Sequence, residues 1–265
     1  YPPGSTFKLI TLLEYIRENP DTWQDFHYTC TGTYTNGDYV VNCHDGVAHG
    51  ELDIYGILGM SCNGAFDTIA QTLNSTKWQK LAEDFGYNQS DRSQVDFPYK
   101  KSHFDIASDD SVWSRMQLAI GQGTTTVTPL LNLMIYAAIA NDGVMMTPYL
   151  VDHYLDADGN VVEQTKPKAL RSVCTKAEAE LMDEFLTYVI TNGTAAAGGS
   201  QYARVSGKTG SAQYDSTKNY HAWFCGYGTN DVSEIAVCVM IEKGGAGGIV
   251  AAPVAGQIFD YYFSR

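Results

Sequence analysis

The sequence predicts one α+β domain in which helices pack on an antiparallel sheet. Helical hydrophobic patterns fill roughly the first 145 residues, whereas three strand-like segments joined by short turns follow near the C-terminus. The chain has 265 residues, of which 44% are hydrophobic, so it can bury a large core. The sequence shows no internal repeat or interdomain linker. We therefore expect a single domain over 1–265 that contains a helical subdomain at roughly 25–145.

The first helix is predicted to begin at or near Ser5 and to end at Asn19-Pro20. The nearly all-apolar helix at 129–140 should be buried. Irregular loops are predicted at 88–110 and 244–248. Apolar periodicity and breaker residues predict the remaining helices from residues 61–64 onward and at 77–85, 111–120, 129–140, 175–191 and 252–263.

Alternating Thr, Tyr and Val residues predict the strands. Asn36-Gly37 marks a hairpin whose arms carry Cys30 and Cys43. A second hairpin is predicted to pair 150–155 with 161–164. The three late strands are placed at 203–213, 221–227 and 234–242. Because short turns join these three, they should form an antiparallel meander.

Charge excludes several classes of partner. The net charge is −13, with 30 acidic and 17 basic residues, which disfavours nucleic acid and anionic membrane surfaces. The sequence has no run of 18 apolar residues, so it predicts no membrane-spanning helix, and no signal peptide is recognisable. It begins at Tyr1, not at Met, so we expect a fragment whose targeting information lies upstream.

A possible nucleophile and base stand at the start of the first helix. Ser5 and Lys8 are three residues apart and so share one helix face. A serine hydroxyl needs a base to become nucleophilic. Lys8 is flanked by Phe7 and Leu9, and partial desolvation would lower its pKa enough for that role. A lone Ser-x-x-Lys is also compatible with an ordinary helix cap, so other motifs must decide.

Two further segments carry polar side chains in suggestive order. Ser61-Cys62-Asn63 places a hydroxyl beside a carboxamide, which could relay a proton and hold a peptide amide; a helix cap is the simpler alternative. Residues 206–211 read Ser-Gly-Lys-Thr-Gly-Ser, but Tyr202 replaces the first glycine of a phosphate-binding loop, and the segment reads as a strand. In that strand Gly210 would let a ligand backbone approach an edge that could pair with an extended peptide.

Together these motifs resemble those of a known family. Ser-x-x-Lys at 5–8, Ser-x-Asn at 61–63 and Lys-Thr-Gly at 208–210 occur in the order found in penicillin-binding proteins and class A β-lactamases. The chain resembles the transpeptidase domain of class B, monofunctional penicillin-binding proteins along essentially its whole length. Other matching segments are Tyr-Pro-Pro-Gly at 1–4, Gly-Gln-Gly at 121–123, Thr-Pro-Leu at 128–130, Ile-Ala-Asn-Asp-Gly at 139–143, Ser-Ala-Gln at 211–213 and His-Ala-Trp-Phe at 221–224.

The resemblance implies a fold and a role for each motif residue. The fold is the penicillin-recognising α/β sandwich, with an antiparallel sheet flanked by helices and an all-helical subdomain. Ser5 would be the acylated nucleophile and Lys8 its base. Ser61 would transfer a proton, and Asn63 would bind the substrate amide. Lys208 would supply positive potential and a hydrogen bond to Ser61, Thr209 and Ser211 would bind the carboxylate, and Gly210 would let the substrate approach closely. The backbone N–H groups of Ser5 and Ser211 would form an oxyanion hole.

The resemblance also implies an activity. Such proteins are D,D-transpeptidases that join peptidoglycan stem peptides ending in D-Ala-D-Ala and are acylated by β-lactams. No metal or organic cofactor is implied. The expected location is the extracytoplasmic face of the bacterial membrane. Strands of the central sheet, a pedestal domain and a membrane anchor usually precede the first motif and are absent from this sequence, as are the regions that bind other cell-wall synthesis proteins.

Other functions on related folds stay open. A class D serine β-lactamase also carries Ser-x-x-Lys, although its usual second motif is Ser-x-Val, and Asn63 departs from that pattern. A non-catalytic β-lactam sensor or scaffold is the other alternative. The motifs do not choose between transpeptidation and carboxypeptidation, nor among elongation, division and sporulation.

The six cysteines allow several interpretations. Cys30 and Cys43 could be two free thiols, a disulfide, or part of a zinc site with His44 or His49. An exported location favours the disulfide. Cys225 and Cys238 are expected to be neighbours across the last hairpin if its turn is centred on Asp231-Val232. Cys62 is expected to be a small buried filler within the second motif.

Overall fold

The sheet and helices predicted from sequence form one α+β structure. A computed structural model describes residues 1–43, 46–89, 95, 97–217 and 219–265. The helices are α1 (Lys8–Glu18), α2 (Ile54–Gly59), α3 (Asn63–Ala70), α4 (Ser75–Asp84), α5 (Val112–Ala119), α6 (Pro129–Ala140), α7 (Lys176–Asn192) and α8 (Gly247–Phe263). The strands are β1 (His27–Cys30), β2 (Thr33–Asn36), β3 (Tyr39–Asn42), β4 (Gly50–Asp53), β5 (Val144–Met146), β6 (His153–Leu155), β7 (Val161–Gln164), β8 (Ala169–Ser172), β9 (Arg204–Gln213), β10 (Tyr220–Thr229) and β11 (Glu234–Ile241).

The late meander is the main sheet, as predicted. Its strand order is β11-β10-β9, all antiparallel. Cys225 in β10 lies opposite Lys208 on one side and Cys238 on the other. Helices α6, α7 and α8 pack against this sheet, and the short turn before α1 lies against β9. The strand that carries the third motif is therefore held next to the segment that carries the first.

Helices α1 and α6 bury side chains as their apolar composition predicts. Leu9, Leu12 and Leu13 of α1 are fully buried, and so is Lys8 among them. The predicted α6 begins at Pro129, as expected, and is capped by the Thr128 side chain, which accepts a hydrogen bond from the N–H of Leu131. These two helices thus form the centre of the core around the first motif.

Three predictions about the fold need correction. The region at 25–145 is rich in helices but not all-helical, since β1 to β4 form two small two-stranded sheets within 27–53. Cys30 lies in β1, which pairs with β4, and not on the β2–β3 hairpin. Helix α8 begins at Gly247, so the last part of the predicted 244–248 loop is helical.

The reason for the third correction is close packing. A Cβ atom at Gly247 would lie 2.3 Å from the carbonyl oxygen of Gly210, and one at Gly248 would lie 2.7 Å from that of Thr194. Gly247 therefore allows the first turn of α8 to touch β9, and Gly248 allows it to touch the segment that follows α7. Among the residues described, no helix combines the length and apolar character that crossing a membrane requires.

Candidate active site

Ser5 lies in a tight turn that precedes α1. Residues Gly4–Thr6 form one turn of 3-10 helix, and α1 follows from Lys8. Gly4 has a φ of +56°, a left-handed conformation that favours glycine, and a Cβ there would lie 3.0 Å from Cβ of Ala212 in β9. The turn is therefore pressed against β9, which brings the Ser5 hydroxyl to the third motif. Among the described residues this hydroxyl has no hydrogen-bond partner.

Residues far along the chain fix this turn. The N–H of Gly4 donates to the carbonyl of Gly121 at 2.9 Å. From α6, Asn132 donates to the Thr6 hydroxyl at 3.1 Å, and the Tyr136 hydroxyl donates to the Thr6 carbonyl at 3.0 Å. Trp223 of β10 donates its indole N–H to the carbonyl of Pro2 at 3.1 Å. Both sides of Ser5 are thus anchored, and its position is set by the fold.

The Lys8 amine is fully buried, which confirms the predicted desolvation. Its Nζ donates to the Ser61 carbonyl at 2.8 Å and to Oδ1 of Asn63 at 2.7 Å, and lies 3.3 Å from the Ser61 hydroxyl. The Phe66 ring lies 5.2 Å away. Burial lowers the pKa of Lys8 from 10.5 to about 8. A substantial fraction of this amine is therefore neutral near physiological pH.

The second motif forms the turn between α2 and α3. Ser61 has a φ of +54°, which is uncommon for a residue other than glycine. Asn63 opens α3, and its Nδ2 donates to the carbonyl of Asn42 at 2.8 Å while its Oδ1 accepts from Lys8. The helix predicted to start near Ser61 or Asn63 does begin here, with Cys62 in the N-cap position, but the Cys62 side chain makes no capping hydrogen bond. Ser61 and Asn63 thus contact Lys8 from the start of α3.

The third motif lies in β9 and is buried. Lys208 is fully buried, and desolvation, followed by the charge of Lys8, holds its pKa well below 10.5. Its Nζ donates to the carbonyl of Thr209 at 3.1 Å, and the hydrogen bond predicted from Lys208 to Ser61 does not occur among the described contacts. Thr209 shares a 3.0 Å hydrogen bond with the hydroxyl of Thr194. The hydroxyl of Ser211 accepts from the N–H of Gly247, at the start of α8, at 3.0 Å.

Gly210 serves a purpose other than the one predicted. A Cβ atom at this position would lie 3.0 Å from the Pro3 carbonyl oxygen, 3.2 Å from Thr6 and 3.3 Å from Trp223. Gly210 thus lets the Ser5 turn approach the strand, and the space beside it is filled by this chain, not by a ligand backbone. Sequence reasoning found the residue but assigned the wrong neighbour.

The arrangement fits base-assisted acyl transfer. A neutral amine has two N–H bonds and one lone pair, and the carbonyl of Ser61 and Oδ1 of Asn63 accept both N–H bonds of Lys8. The lone pair is then available to a hydroxyl proton. The hydroxyl next to Lys8 is that of Ser61, at 3.3 Å, while Ser5 lies one helical turn earlier in the chain and makes no hydrogen bond to Lys8 among the described residues.

Sequence reasoning missed a buried carboxyl beside this site. Asp67 lies on α3 one turn after Asn63, is fully buried, and has no hydrogen-bond partner on either carboxyl oxygen. Desolvation raises its pKa well above 3.8, although the charge of Lys8 opposes that shift. The one available signal was an acidic residue within the apolar run Ala65–Ala70.

The predicted Cys30–Cys43 disulfide is wrong in this structure. The two Sγ atoms are 3.6 Å apart, and all six cysteines are free thiols. The Sγ of Cys43 also lies 3.8 Å from the Sγ of Cys62, and the Sγ of Cys30 lies 3.4 Å from Nδ1 of His49. His44, the other histidine considered, lies outside the described residues. The expected Cys225–Cys238 pair is confirmed as neighbours, with the Sγ atoms 3.2 Å apart.

Comparison with known proteins identifies the family to which these motifs belong. A family model described as "Penicillin binding protein transpeptidase domain" matches residues 1–260. Stage V sporulation protein D of Bacillus subtilis is 28% identical over 97% of this chain and 41% of its own length. Peptidoglycan D,D-transpeptidase PbpA of Mycolicibacterium smegmatis is 26% identical over 96% of this chain and 53% of its own length. The chain spans about half the length of the curated relatives it matches.

Solved structures share the fold. The D,D-transpeptidase domain of a peptidoglycan glycosyltransferase from Eggerthella lenta superposes with a TM-score of 0.86 at 28% identity, covering 98% of this chain and 64% of the other. Penicillin-binding protein A from M. tuberculosis, in an imipenem acyl-enzyme complex, superposes with a TM-score of 0.84 at 23% identity. That match covers 98% of this chain and 59% of the other. The penicillin-recognising fold predicted from the motifs is therefore correct.

Proposed function

The chain belongs to the penicillin-binding protein transpeptidase family, and on that premise we propose that it is the catalytic domain of a peptidoglycan D,D-transpeptidase. The observation that carries the proposal is the fully buried Lys8 amine, with a pKa of about 8, held by Ser61 and Asn63 one turn from Ser5. A base of this pKa matches the needs of proton transfer near neutral pH. A relative named peptidoglycan D,D-transpeptidase supports the choice of substrate.

The proposed first step acylates Ser5. The Ser5 oxygen attacks the carbonyl carbon of the penultimate D-Ala, and its proton passes to Nζ of Lys8. The bond from that carbon to the terminal D-Ala nitrogen then breaks, and this nitrogen takes a proton through the Ser61 hydroxyl, which lies 3.3 Å from Lys8. D-Ala leaves as the free amino acid, and the peptide stays bound to Ser5 as an ester.

The second step releases the peptide. An amine of a neighbouring stem peptide attacks the ester carbon and gives up a proton to the same relay. The new amide bond cross-links the two peptides, and the Ser5 oxygen regains its proton. A water molecule in place of the amine would give carboxypeptidation. No step requires an organic cofactor, because the hydroxyl, the amine and backbone N–H groups supply the chemistry.

Substrate binding follows from the unused hydrogen-bonding capacity of the site. Asn63 donates one N–H to Asn42 and accepts one hydrogen bond from Lys8, so one N–H and one oxygen lone pair stay available for a peptide amide. Ser211 accepts from Gly247 and keeps its own O–H for the terminal carboxylate, together with Thr209. The positive end of the α8 dipole, and Lys208 in its protonated form, favour that carboxylate. The N–H groups of Ser5 and Ser211 are the proposed oxyanion hole.

The substrate sets the proposed location and partners. Stem peptides lie outside the cytoplasmic membrane, so we place this domain on the extracytoplasmic face, held there by an anchor in the remaining sequence. Other cell-wall synthesis proteins are proposed partners through regions outside this chain. A structure of a peptidoglycan synthase complex shares this fold, with a TM-score of 0.85 at 23% identity.

Intact-mass analysis with penicillin tests the proposal. The wild-type protein should gain one penicilloyl group and keep it for many minutes, whereas Ser5→Ala should gain none. Ser211→Ala is a useful companion, since it keeps the nucleophile and should be acylated more slowly. An adduct that disappears within seconds while the drug is consumed would identify a β-lactamase. The absence of an adduct on folded wild-type protein would indicate a scaffold and overturn the proposal.

A further inference from the structure

Four metal-ligating side chains meet beside the second motif. They are Cys30 at the end of β1, Cys43 just after β3, His49 just before β4, and Cys62 at the N-cap of α3. Their ligand atoms, three Sγ and one imidazole nitrogen, all lie within 4.8 Å of one another. The three cysteines are buried and His49 is half-buried. Residues up to 32 positions apart (30 to 62) are thus gathered at one point.

The spacing of these atoms fits a tetrahedral ion. Zinc–sulfur bonds of about 2.3 Å and zinc–nitrogen bonds of about 2.0 Å place two sulfurs about 3.8 Å apart, and a sulfur and a nitrogen about 3.5 Å apart. The structure has Cys30 and Cys43 at 3.6 Å, Cys43 and Cys62 at 3.8 Å, and Cys30 and His49 at 3.4 Å. A disulfide would need two of these sulfurs at about 2.0 Å.

The surroundings of the sulfurs also favour bound thiolates. The N–H of Gly32 donates to the Sγ of Cys30 at 3.4 Å, a contact that supports negative charge on a ligand sulfur. Gly32 has a φ of +89°, and a Cβ there would lie 2.2 Å from the carbonyl of Gly46, so this turn requires glycine. Cys62 occupies the N-cap position of α3, and a helix N-terminus generally favours negative charge on a nearby sulfur.

The small strands around the cluster bury few side chains of their own. Within residues 27–43 and 46–53, the buried side chains are only Cys30, Val41, Cys43 and Leu52. Two separate two-stranded sheets with so little apolar contact are marginal on their own. A structural metal supplies the missing stabilisation in small lobes of this kind. Half of this lobe's buried side chains are candidate ligands.

We propose that Cys30, Cys43, His49 and Cys62 bind one structural zinc ion, which ties the strands of residues 27–53 to the turn that carries Ser61 and Asn63. Three sulfurs and one imidazole form a closed four-coordinate set, which is typical of structural zinc and leaves no position for a reacting water. Cys62 lies between Ser61 and Asn63, so the ion would hold the left-handed backbone conformation of Ser61 in place. This assigns a ligand role to Cys62, which sequence analysis took for a filler, and it favours the zinc alternative for Cys30, Cys43 and His49 over the disulfide that sequence analysis preferred.

Metal content of the full-length protein is the direct test. Protein purified under reducing conditions without chelators should contain about one zinc per chain by inductively coupled plasma mass spectrometry. Co²⁺ exchanged into the site should give the intense visible absorption of tetrahedral cobalt with sulfur ligands. His49→Ala and Cys30→Ser should each lower zinc affinity at least about tenfold. Cys238→Ala, which removes a thiol outside the cluster, should retain zinc and serves as the matched control.

The melting temperature distinguishes loss of the metal from general damage to the fold. A strong chelator should lower the melting temperature of wild type and of Cys238→Ala, but should lower that of Cys30→Ser less, because this variant binds zinc more weakly. Folded wild-type protein that neither contains zinc nor takes it up when reduced would overturn the proposal. So would a covalent Cys30–Cys43 bond, detected by peptide mapping, in protein kept under the redox conditions of its compartment.

The effect of zinc on the second motif can be measured separately through the acylation rate, and this test rests on the proposed function. Removing zinc should slow acylation by penicillin at least about tenfold, and adding zinc back should restore it. Acylation that is equally fast with and without zinc would overturn the tie. If Ser5 is never acylated, the proposed function fails, while the zinc content and the cobalt spectrum still decide whether the site exists.

Discussion

The ionisation of Lys8 gives a quantitative prediction for the rate of acylation. A pKa of about 8 leaves about a tenth of this amine neutral at pH 7, whereas the ordinary pKa of lysine would leave about three molecules in ten thousand. Burial therefore raises the population of the base about 300-fold. Below the pKa the acylation rate should rise about tenfold per pH unit, and it should level off above about pH 8.

Asn63→Asp is the perturbation that tests this account. It replaces Oδ1, at 2.7 Å from Lys8, with a negatively charged oxygen of the same size. A carboxylate at this distance raises the pKa of a lysine by about 1–3 units. Acylation at pH 7 should then fall about 10- to 1000-fold, and the midpoint of the pH profile should move up by the same number of units.

The assay is the second-order rate of acylation by a fluorescent penicillin from pH 5.5 to 10.5. Loss of the contact from Asn63 to Asn42, or of substrate binding, would lower the rate equally at every pH, so only a shifted midpoint reports on Lys8. Asn63→Ala provides the control, because it removes the side chain without adding charge. An unmoved midpoint in Asn63→Asp would refute the assignment of Lys8 as the titrating base.

Three further predictions concern neighbouring residues. Lys8→Met should lower acylation at least about a thousandfold, while calorimetry shows no loss of thermal stability, because a fully buried amine is replaced by an apolar chain of similar length. Gly210→Ala should slow acylation by penicillin about tenfold or more, since its Cβ would lie 3.0 Å from the Pro3 carbonyl; wild-type rates would show that the turn can shift freely. Asp67→Asn should raise the melting temperature more at pH 8 than at pH 4, because a raised carboxyl pKa destabilises the fold increasingly as pH rises above about 4. An equal effect at both pH values would mean that folding does not shift this pKa, and a melting temperature lowered most at pH 8 would mean that Asp67 is ionised and paired.

The sequence was sufficient for features that depend on local pattern. The predicted α6 and the meander of β9, β10 and β11 agree with the structure within a few residues, because apolar periodicity and turn residues determine them. The desolvation of Lys8 was also foreseeable, since Phe7 and Leu9 flank it. The three motifs specify residue types and order, so the proposed nucleophile Ser5, the proposed base Lys8 and the third-motif strand could be located.

Features that depend on distant contacts were not predictable. Gly210 looked like an opening for a ligand, because its sequence neighbours do not reveal that Pro3 occupies the space. Gly247 looked like a loop residue, although contact with β9 requires a glycine within the first turn of α8. Cys30 and Cys43 looked like an isolated pair, since nothing in their spacing shows that Cys62 approaches from α3.

The support of the Ser5 turn also determines when this chain can become reactive. Ser5 is made before the residues that hold its turn, because Gly121, Asn132 and Trp223 lie between about 115 and 220 positions later in the sequence. The N–H that contacts Ser211 comes later still, from Gly247. A polypeptide that ends before these residues therefore carries the Ser5 hydroxyl without the contacts that hold it in place.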